Sequence, residues 1–70
     1  MLADELEAAY ALITDMPFAG EAVAHSRISG LRRVLLARTQ YYLYYVVSED
    51  VAMVEVLSLW HTSRGTPPRI

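Results

Sequence analysis

The sequence lacks both cysteine and lysine. Without cysteine there are no disulfide bonds and no thiolate metal ligands, and the two histidines lie too far apart in sequence to suggest a zinc site. The longest unbroken apolar run, residues 41–47, is too short to cross a bilayer, and the acidic N-terminus lacks the basic start of a signal peptide. We therefore expect a soluble, cytoplasmic protein that needs no metal ion or cofactor.

Glycine and proline are also few, with three of each in 70 residues. A chain of this length forms one domain and buries only about 60% of its unfolded surface, so its stability is marginal. Hydrophobic residues make up 54% of the chain and charged residues 20%. Part of this apolar surplus is expected to face another chain.

Basic residues are absent from the first 21 positions, which hold five acidic ones. The rest of the chain holds six arginines against three acidic residues. Such asymmetry can mark a contact surface for a partner, although a solvated acidic helix beside an ordinary sheet would produce it as well. Arginine suits bidentate contacts with carboxylate or phosphate, whereas lysine more readily shuttles a proton.

An apolar stripe predicts one helix over residues 2–15. Its members follow helical spacing, namely Leu2, Leu6, Ala9, Tyr10 and Ile13. Acidic residues near the start favour the helix dipole, and Pro17 biases the residue before it away from helix. Residues 16–30 are then predicted as a connection with turns at Gly20 and Gly30.

After this connection the pattern changes to β-rich runs. Three runs, LRRVLLA, YYLYYVVS and VAMVEVLSLW, are separated by short polar connections at residues 38–40 and 48–50. Such short connections join antiparallel strands, so residues 31–60 should form a three-stranded meander with the tyrosine-rich run at its centre. The prediction is an α+β fold, a single domain over residues 1–70 in which the N-terminal helix packs on a three-stranded antiparallel sheet and a tail follows over residues 61–70.

Several motifs occur in an order that resembles the RelE/ParE-type toxins of bacterial type II toxin–antitoxin systems. They are a helix ending in Met-Pro-Phe-Ala-Gly at residues 16–20, Leu31-Arg32-Arg33 opening a strand, the tyrosine-rich central strand, and His61-Thr62-Ser63-Arg64, which is similar to the family's His-x-x-Arg ending. The resemblance runs over essentially all 70 residues. It implies a shortened RelE/ParE-like fold, since the family's N-terminal strand and first helix have no counterpart in this sequence.

The resemblance implies one of two activities. ParE-like members bind and inhibit DNA gyrase, whereas RelE-like members cut mRNA on the ribosome, and a cognate antitoxin neutralises both kinds. The tail Pro67-Pro68-Arg69, the absence of lysine and the net charge of -2 favour the ParE-like side, because many ribonuclease members have a lysine-rich centre. A third interpretation is a truncated, non-toxic remnant that still binds antitoxin. A homodimer would bury the same apolar surface as an antitoxin.

The resemblance also implies roles for particular residues. For RNA cleavage, the catalytic candidates are His61, as acid or base, and Arg64, as a phosphate-binding group. The residues implied to contact a target are Arg32, Arg33, Tyr44, Tyr45 and Arg69, through ionic contacts of the arginines and stacking of the tyrosines.

Each of these residues also has a purely structural interpretation. His61 can be a hydrogen-bonded residue at a strand boundary, and Arg64 can pair with a nearby carboxylate. Arg32 and Arg33 are adjacent, so on a strand they point to opposite faces and cannot line one site together. The tyrosines and Trp60 can pack in the core or across strands.

Overall fold

The computed structural model describes residues 2–25, 27–48, 50 and 53–64. The elements are helix α1 (Leu2–Asp15), strands β1 (Glu21–Ala22), β2 (Leu31–Leu36), β3 (Tyr41–Ser48) and β4 (Met53–His61), and a 3-10 turn (Thr62–Arg64). The strands form one antiparallel sheet in the order β1-β2-β3-β4. The predicted α+β class is confirmed, whereas the predicted three-stranded sheet is wrong, because the described residues form four strands.

Helix α1 begins and ends where the apolar stripe and Pro17 predict. Ala9 and Ile13 are buried, and Leu2 and Leu6 pack against the core cluster from the first turns. Pro17 lacks an amide hydrogen and disfavours helical geometry at the residue before it, which explains why the helix ends at this point. The helix therefore lays one apolar face on the sheet, and its acidic residues Asp4, Glu7 and Asp15 are exposed.

The additional strand, β1, lies inside the segment predicted as a connection. Glu21 pairs with Arg33, and Ala22 pairs with Arg32, on the free edge of β2. Two residues are too few to show a strand periodicity, so the sequence carries no signal for this element. The strand exists because the edge of β2 offers unpaired backbone groups that the passing chain satisfies.

The other three strands form the predicted meander, in which β3 lies between β2 and β4. The turn between β2 and β3 closes with the Gln40 amide donating to the Leu36 carbonyl at 2.7 Å, and Gln40 adopts a left-handed conformation with φ of 63°. A β-bulge shifts the register of β3 and β4 between Tyr44 and Tyr45, where Leu57 is the extra residue on β4.

The core lies between α1 and one face of the sheet. Its buried members are Ala9, Ile13, Leu36, Leu43 and Tyr45. Side chains alternate along a strand, so the neighbours Arg33, Tyr42, Tyr44 and Trp60 belong to the opposite face of the sheet. The helix thus covers one face, and the second face carries a mixture of aromatic and charged groups.

Candidate functional site

The end of the sheet that carries the predicted site is tied to the helix by Glu5. The Glu5 carboxylate accepts hydrogen bonds from the Arg38 amide at 2.8 Å, the Thr39 amide at 2.9 Å and the Thr39 hydroxyl at 2.6 Å. The hydroxyl bond above all, together with the two amides, lowers the pKa of Glu5 from its usual value. The turn between β2 and β3 is therefore fixed against the first turns of α1.

His61 is the last residue of β4 and is half-buried. Its ring meets Tyr41 edge to face, with centroids 4.8 Å apart, and the next amide, of Thr62, donates to the Gln40 carbonyl at 2.9 Å. The Ser63 amide donates to His61 Nδ1 at 3.1 Å, and the Ser63 hydroxyl lies 2.7 Å from the same nitrogen. Because an amide only donates, Nδ1 is an acceptor and the neutral ring carries its proton on Nε2. Any proton transfer by His61 would use Nε2.

The other two tail candidates are arginines. Arg64 closes the 3-10 turn Thr62–Arg64, so its backbone follows directly from the end of β4. Its side chain and the whole of Arg69 lie outside the described residues. The catalytic role of Arg64 and the target-binding role of Arg69 therefore stay predictions.

Arg32 holds the loop that joins the helix to the sheet. Its Nη1 donates to the Gly20 carbonyl at 2.6 Å and to the Phe18 carbonyl at 3.3 Å. The guanidinium also lies 4.9 Å from the centre of the Phe18 ring, within reach of a cation–π interaction. These contacts give Arg32 a structural role in fixing the course of residues 18–20.

Arg33 lies on the opposite face of the sheet and makes a separate set of contacts. Its Nε donates to the Glu21 carboxylate at 2.6 Å, its Nη1 lies 3.3 Å from the Tyr44 hydroxyl, and its guanidinium lies 4.2 Å from the centre of the Tyr42 ring. The hydrogen bond to Tyr44 and then the Glu21 carboxylate raise the pKa of Arg33 above its ordinary value. The ion pair also anchors β1 to β2.

The predicted site residues that the structure describes do not form a single site. Arg32 and Arg33 occupy opposite faces of β2, as their adjacency predicts, and each is engaged by protein groups. His61 is the register partner of Tyr41, whereas Arg32 is the partner of Tyr45. Four residues along a strand correspond to about 13 Å. Arg33, the partner of Tyr44, is three residues away, about 10 Å, and lies on the opposite face of the sheet from His61. With both arginines engaged elsewhere, a single phosphate group does not reach from His61 to either of them.

Tyr44 and Tyr45 are buried and require a correction to their predicted role in target binding. Tyr45 is fully buried and Tyr44 is 3% exposed, so neither ring offers a face on which a base or a partner could stack. The Tyr45 hydroxyl donates to the Pro17 carbonyl at 2.7 Å and accepts from the Gly20 amide at 3.0 Å. The packing interpretation therefore describes both tyrosines, and Tyr45 closes the joint between helix and sheet.

Two of these structural contacts have no local signal in the sequence. Glu5 and Thr39 lie 34 positions apart, and Gly20 and Tyr45 lie 25 positions apart. Only the packing of the helix on the sheet brings each pair together. A glutamate on an exposed helix and a tyrosine in a tyrosine-rich strand are both ordinary, so the sequence does not mark Glu5 or Tyr45 as making these contacts.

The described residues contain neither a metal-binding cluster nor a membrane-spanning helix. No group of three or more histidine, aspartate or glutamate side chains among them is arranged to hold a metal ion. No helix in the same part of the chain is both long and apolar enough to span a membrane. Comparisons with protein-family models, curated proteins and solved structures found no match for this chain.

Proposed function

We propose that this chain is the toxin component of a type II toxin–antitoxin system and acts, as ParE-like toxins do, by binding and inhibiting a protein target such as DNA gyrase. A cognate antitoxin would neutralise it. The proposal starts from the resemblance of the sequence motifs to the family. Those motifs fall on successive parts of the fold, from the end of α1 through β2 and β3 to the end of β4.

The separation of the basic and acid–base groups carries the choice between binding and cleavage. Attack of a 2′-hydroxyl on RNA needs an acid or base and a cationic phosphate ligand around one phosphate. Here Arg32 and Arg33 are engaged on opposite faces of the sheet, and along the strand they lie about 13 Å and about 10 Å from His61. This arrangement supports a binding protein, because a ribonuclease would have only the tail arginines, Arg64 and Arg69, among the predicted cations to place beside His61.

Exposed apolar side chains support the same choice. Large apolar residues that are more than half exposed occur on the helix, in the following loop and at the start of β4, and they are Tyr10, Met16, Phe18 and Met53. Soluble proteins use exposed apolar groups of this kind, when they are clustered, for contacts with other proteins. A surface that binds a target or an antitoxin is therefore available.

Growth after induced expression tests the proposed function. The parent chain is compared with His61→Ala and Arg64→Ala, and Arg27→Ala serves as a matched control because Arg27 is exposed and lies outside the strand end. We expect the parent and the control to arrest growth, and the strand-end variants to arrest it less at equal protein levels.

The same cultures separate the alternatives. Loss of plasmid supercoiling with intact mRNA agrees with a gyrase inhibitor, whereas cleaved mRNA without loss of supercoiling would replace the proposal with a RelE-like ribonuclease. Normal growth with abundant soluble protein would contradict a toxin and favour a remnant that only binds antitoxin.

A further inference from the structure

The two edges of the sheet are covered unequally. Strand β1 pairs with Arg32 and Arg33 on the edge of β2, whereas no described residue pairs with the outer edge of β4. Strand β4 is nine residues long, and an open edge of this length exposes backbone donors and acceptors to which another strand can bond. We propose that two copies of this chain pair their β4 edges in antiparallel orientation, so that one sheet runs through both copies. The inference goes beyond the proposed function and does not depend on toxicity.

A hydrogen bond at the end of β4 shows which residues in its second half direct their backbone groups to the open edge. The Thr62 amide points toward β3, because it donates to the Gln40 carbonyl at 2.9 Å. Backbone groups alternate in direction from one residue of an antiparallel strand to the next. His61 therefore directs its amide and carbonyl to the open edge, and Leu59, two positions earlier, does the same.

A second hydrogen bond gives the same information for the first half of β4. The Val47 amide points toward β2, because it donates to the Gly30 carbonyl at 3.3 Å. By the same alternation Val46 directs its groups toward β4, where its partner is Glu55. The two neighbours of Glu55 therefore direct their groups to the open edge, and these are Val54 and Val56.

The four outward positions have a spacing that reads the same in both directions. The steps are two residues, then three across the bulge at Leu57, then two. An antiparallel copy can be placed with Val56 opposite Leu59 of the second copy. The same register sets Val54 opposite His61, and each pair occurs twice about the two-fold axis. Every outward donor and acceptor then has a partner, whereas any other antiparallel register matches at most half of the positions.

The side chains are compatible with this register. Residues that pair across antiparallel strands lie on the same face of the sheet, and Val56 and Leu59 both pair with core residues of β3 on the face that α1 covers. Val56 is 42% exposed, so a second copy would cover an apolar side chain that the helix leaves open. The acidic residue of β4, Glu55, lies opposite Trp60 of the second copy, so the two carboxylates do not oppose each other.

Strand β4 also lacks common features that keep an edge strand from pairing. Soluble proteins protect open edges with lysine, with proline or by keeping the edge strand very short. The segment Met53–His61 contains neither residue type and is the longest strand of the described sheet. A β-bulge can also protect an edge, but here it lies at the middle of the pairing, where both copies carry it.

Analytical sedimentation of the intact chain over a range of concentrations tests the inference. We expect a reversible equilibrium between monomer and dimer. Val56→Lys places a charge in the interface twice and should weaken the dimer about tenfold. Leu35→Lys is the matched control, because Leu35 is 43% exposed on β2, and Phe18→Ser changes an exposed apolar residue outside the sheet. Neither control should change the dimer, and circular dichroism checks that each variant is folded.

Disulfide cross-linking tests the register itself, because the chain has no cysteine of its own. Val56→Cys and Leu59→Cys are prepared separately, mixed and oxidised. Opposite residues of this kind have Cα atoms about 5.5 Å apart, which suits a disulfide bond. Two copies of the same position lie on opposite sides of the two-fold axis, more than about 7 Å apart, which is too far for this bond. We expect the mixed disulfide to exceed both homodimeric ones, and no such preference when Leu35→Cys replaces Val56→Cys.

Four results would overturn the inference. They are a chain that stays monomeric up to millimolar concentration, equal weakening by Val56→Lys and Leu35→Lys, a dimer that Phe18→Ser breaks and Val56→Lys does not, and mixed disulfides no more abundant than homodimeric ones. The third result would place the interface on the exposed apolar residues outside β4. None of these readouts depends on growth or on gyrase, so failure of this inference and failure of the proposed function are separately visible.

Discussion

Replacing Tyr45 by phenylalanine removes one hydroxyl group at the joint between helix and sheet. That hydroxyl donates to the Pro17 carbonyl at 2.7 Å and accepts from the Gly20 amide at 3.0 Å, and the Tyr45 side chain is fully buried. The substitution keeps the ring but leaves the Gly20 amide without its partner in a place where water has little access. The expected loss of stability therefore comes from unsatisfied polar groups and not from lost packing.

The magnitude follows from the cost of such groups. A buried donor or acceptor left unsatisfied costs about 1–3 kcal/mol, so we expect Tyr45→Phe to lower the free energy of unfolding by about 2 kcal/mol. A chain of 70 residues has a total stability of about 3–10 kcal/mol. The loss is thus a large share of the total and corresponds to a fall in melting temperature of about 8–16 °C.

Gly20→Ala gives a second perturbation of the same contact. A β-carbon at Gly20 would collide with the Tyr45 hydroxyl and would lie 2.8 Å from the Arg33 carbonyl oxygen. We expect a cost of about 1–3 kcal/mol from overpacking. Removing the hydroxyl relieves part of the collision, so the double variant should lose about 1 kcal/mol less than the sum of the two single losses.

Denaturant unfolding followed by the fluorescence of the single tryptophan, Trp60, measures all three variants. Tyr10→Phe is the matched control, because Tyr10 is 55% exposed and loss of its hydroxyl should change stability by less than about 0.5 kcal/mol. If Tyr45→Phe costs no more than Tyr10→Phe, or if the two joint substitutions are additive, the hydroxyl does not fix the joint as described.

Two further predictions concern the polar contacts of the sheet. Because the pKa of Glu5 is lowered in the folded chain, its contribution to stability is present above the ordinary glutamate pKa of about 4.3 and is lost as the pH falls through the lower folded value. In urea unfolding, Glu5→Gln should therefore lower the free energy of unfolding at neutral pH and make that free energy fall less as the solution is acidified. Glu7→Gln should preserve the pH profile of the parent. Identical profiles for the two variants would contradict the role of Glu5. Arg33→Lys should lower the free energy of unfolding by about 1 kcal/mol, because lysine cannot keep both the ion pair with Glu21 and the contact with the Tyr42 ring. Thermal unfolding measures this loss, and an equal loss for Arg27→Lys would refute the explanation.

The elements that could be predicted from the sequence are those with a repeated local pattern. The apolar stripe and Pro17 define α1, and alternation together with short polar connections defines the meander from β2 to β4. The opposite orientation of Arg32 and Arg33 follows from strand geometry alone. Each of these features depends on neighbours within a few positions of the chain.

The features that could not be predicted depend on contacts between distant positions. Strand β1 is two residues long and exists through its pairing with β2. The tyrosine cluster predicts packing, but nothing local indicates that Tyr45 meets Gly20 or that Glu5 reaches the turn at Thr39. For the same reason the candidate site was only partly predictable: His61 lies at the strand end as expected, whereas the engagement of both arginines by protein groups depends on the assembled fold.

Inhibition of purified DNA gyrase by the purified chain is the direct test of a ParE-like toxin. The reaction follows supercoiling of relaxed plasmid as the chain is titrated, and ribosome-bound mRNA is incubated with the same preparation in parallel. We expect loss of supercoiling with the mRNA intact. Normal supercoiling at saturating folded protein, with the mRNA cut, would contradict it.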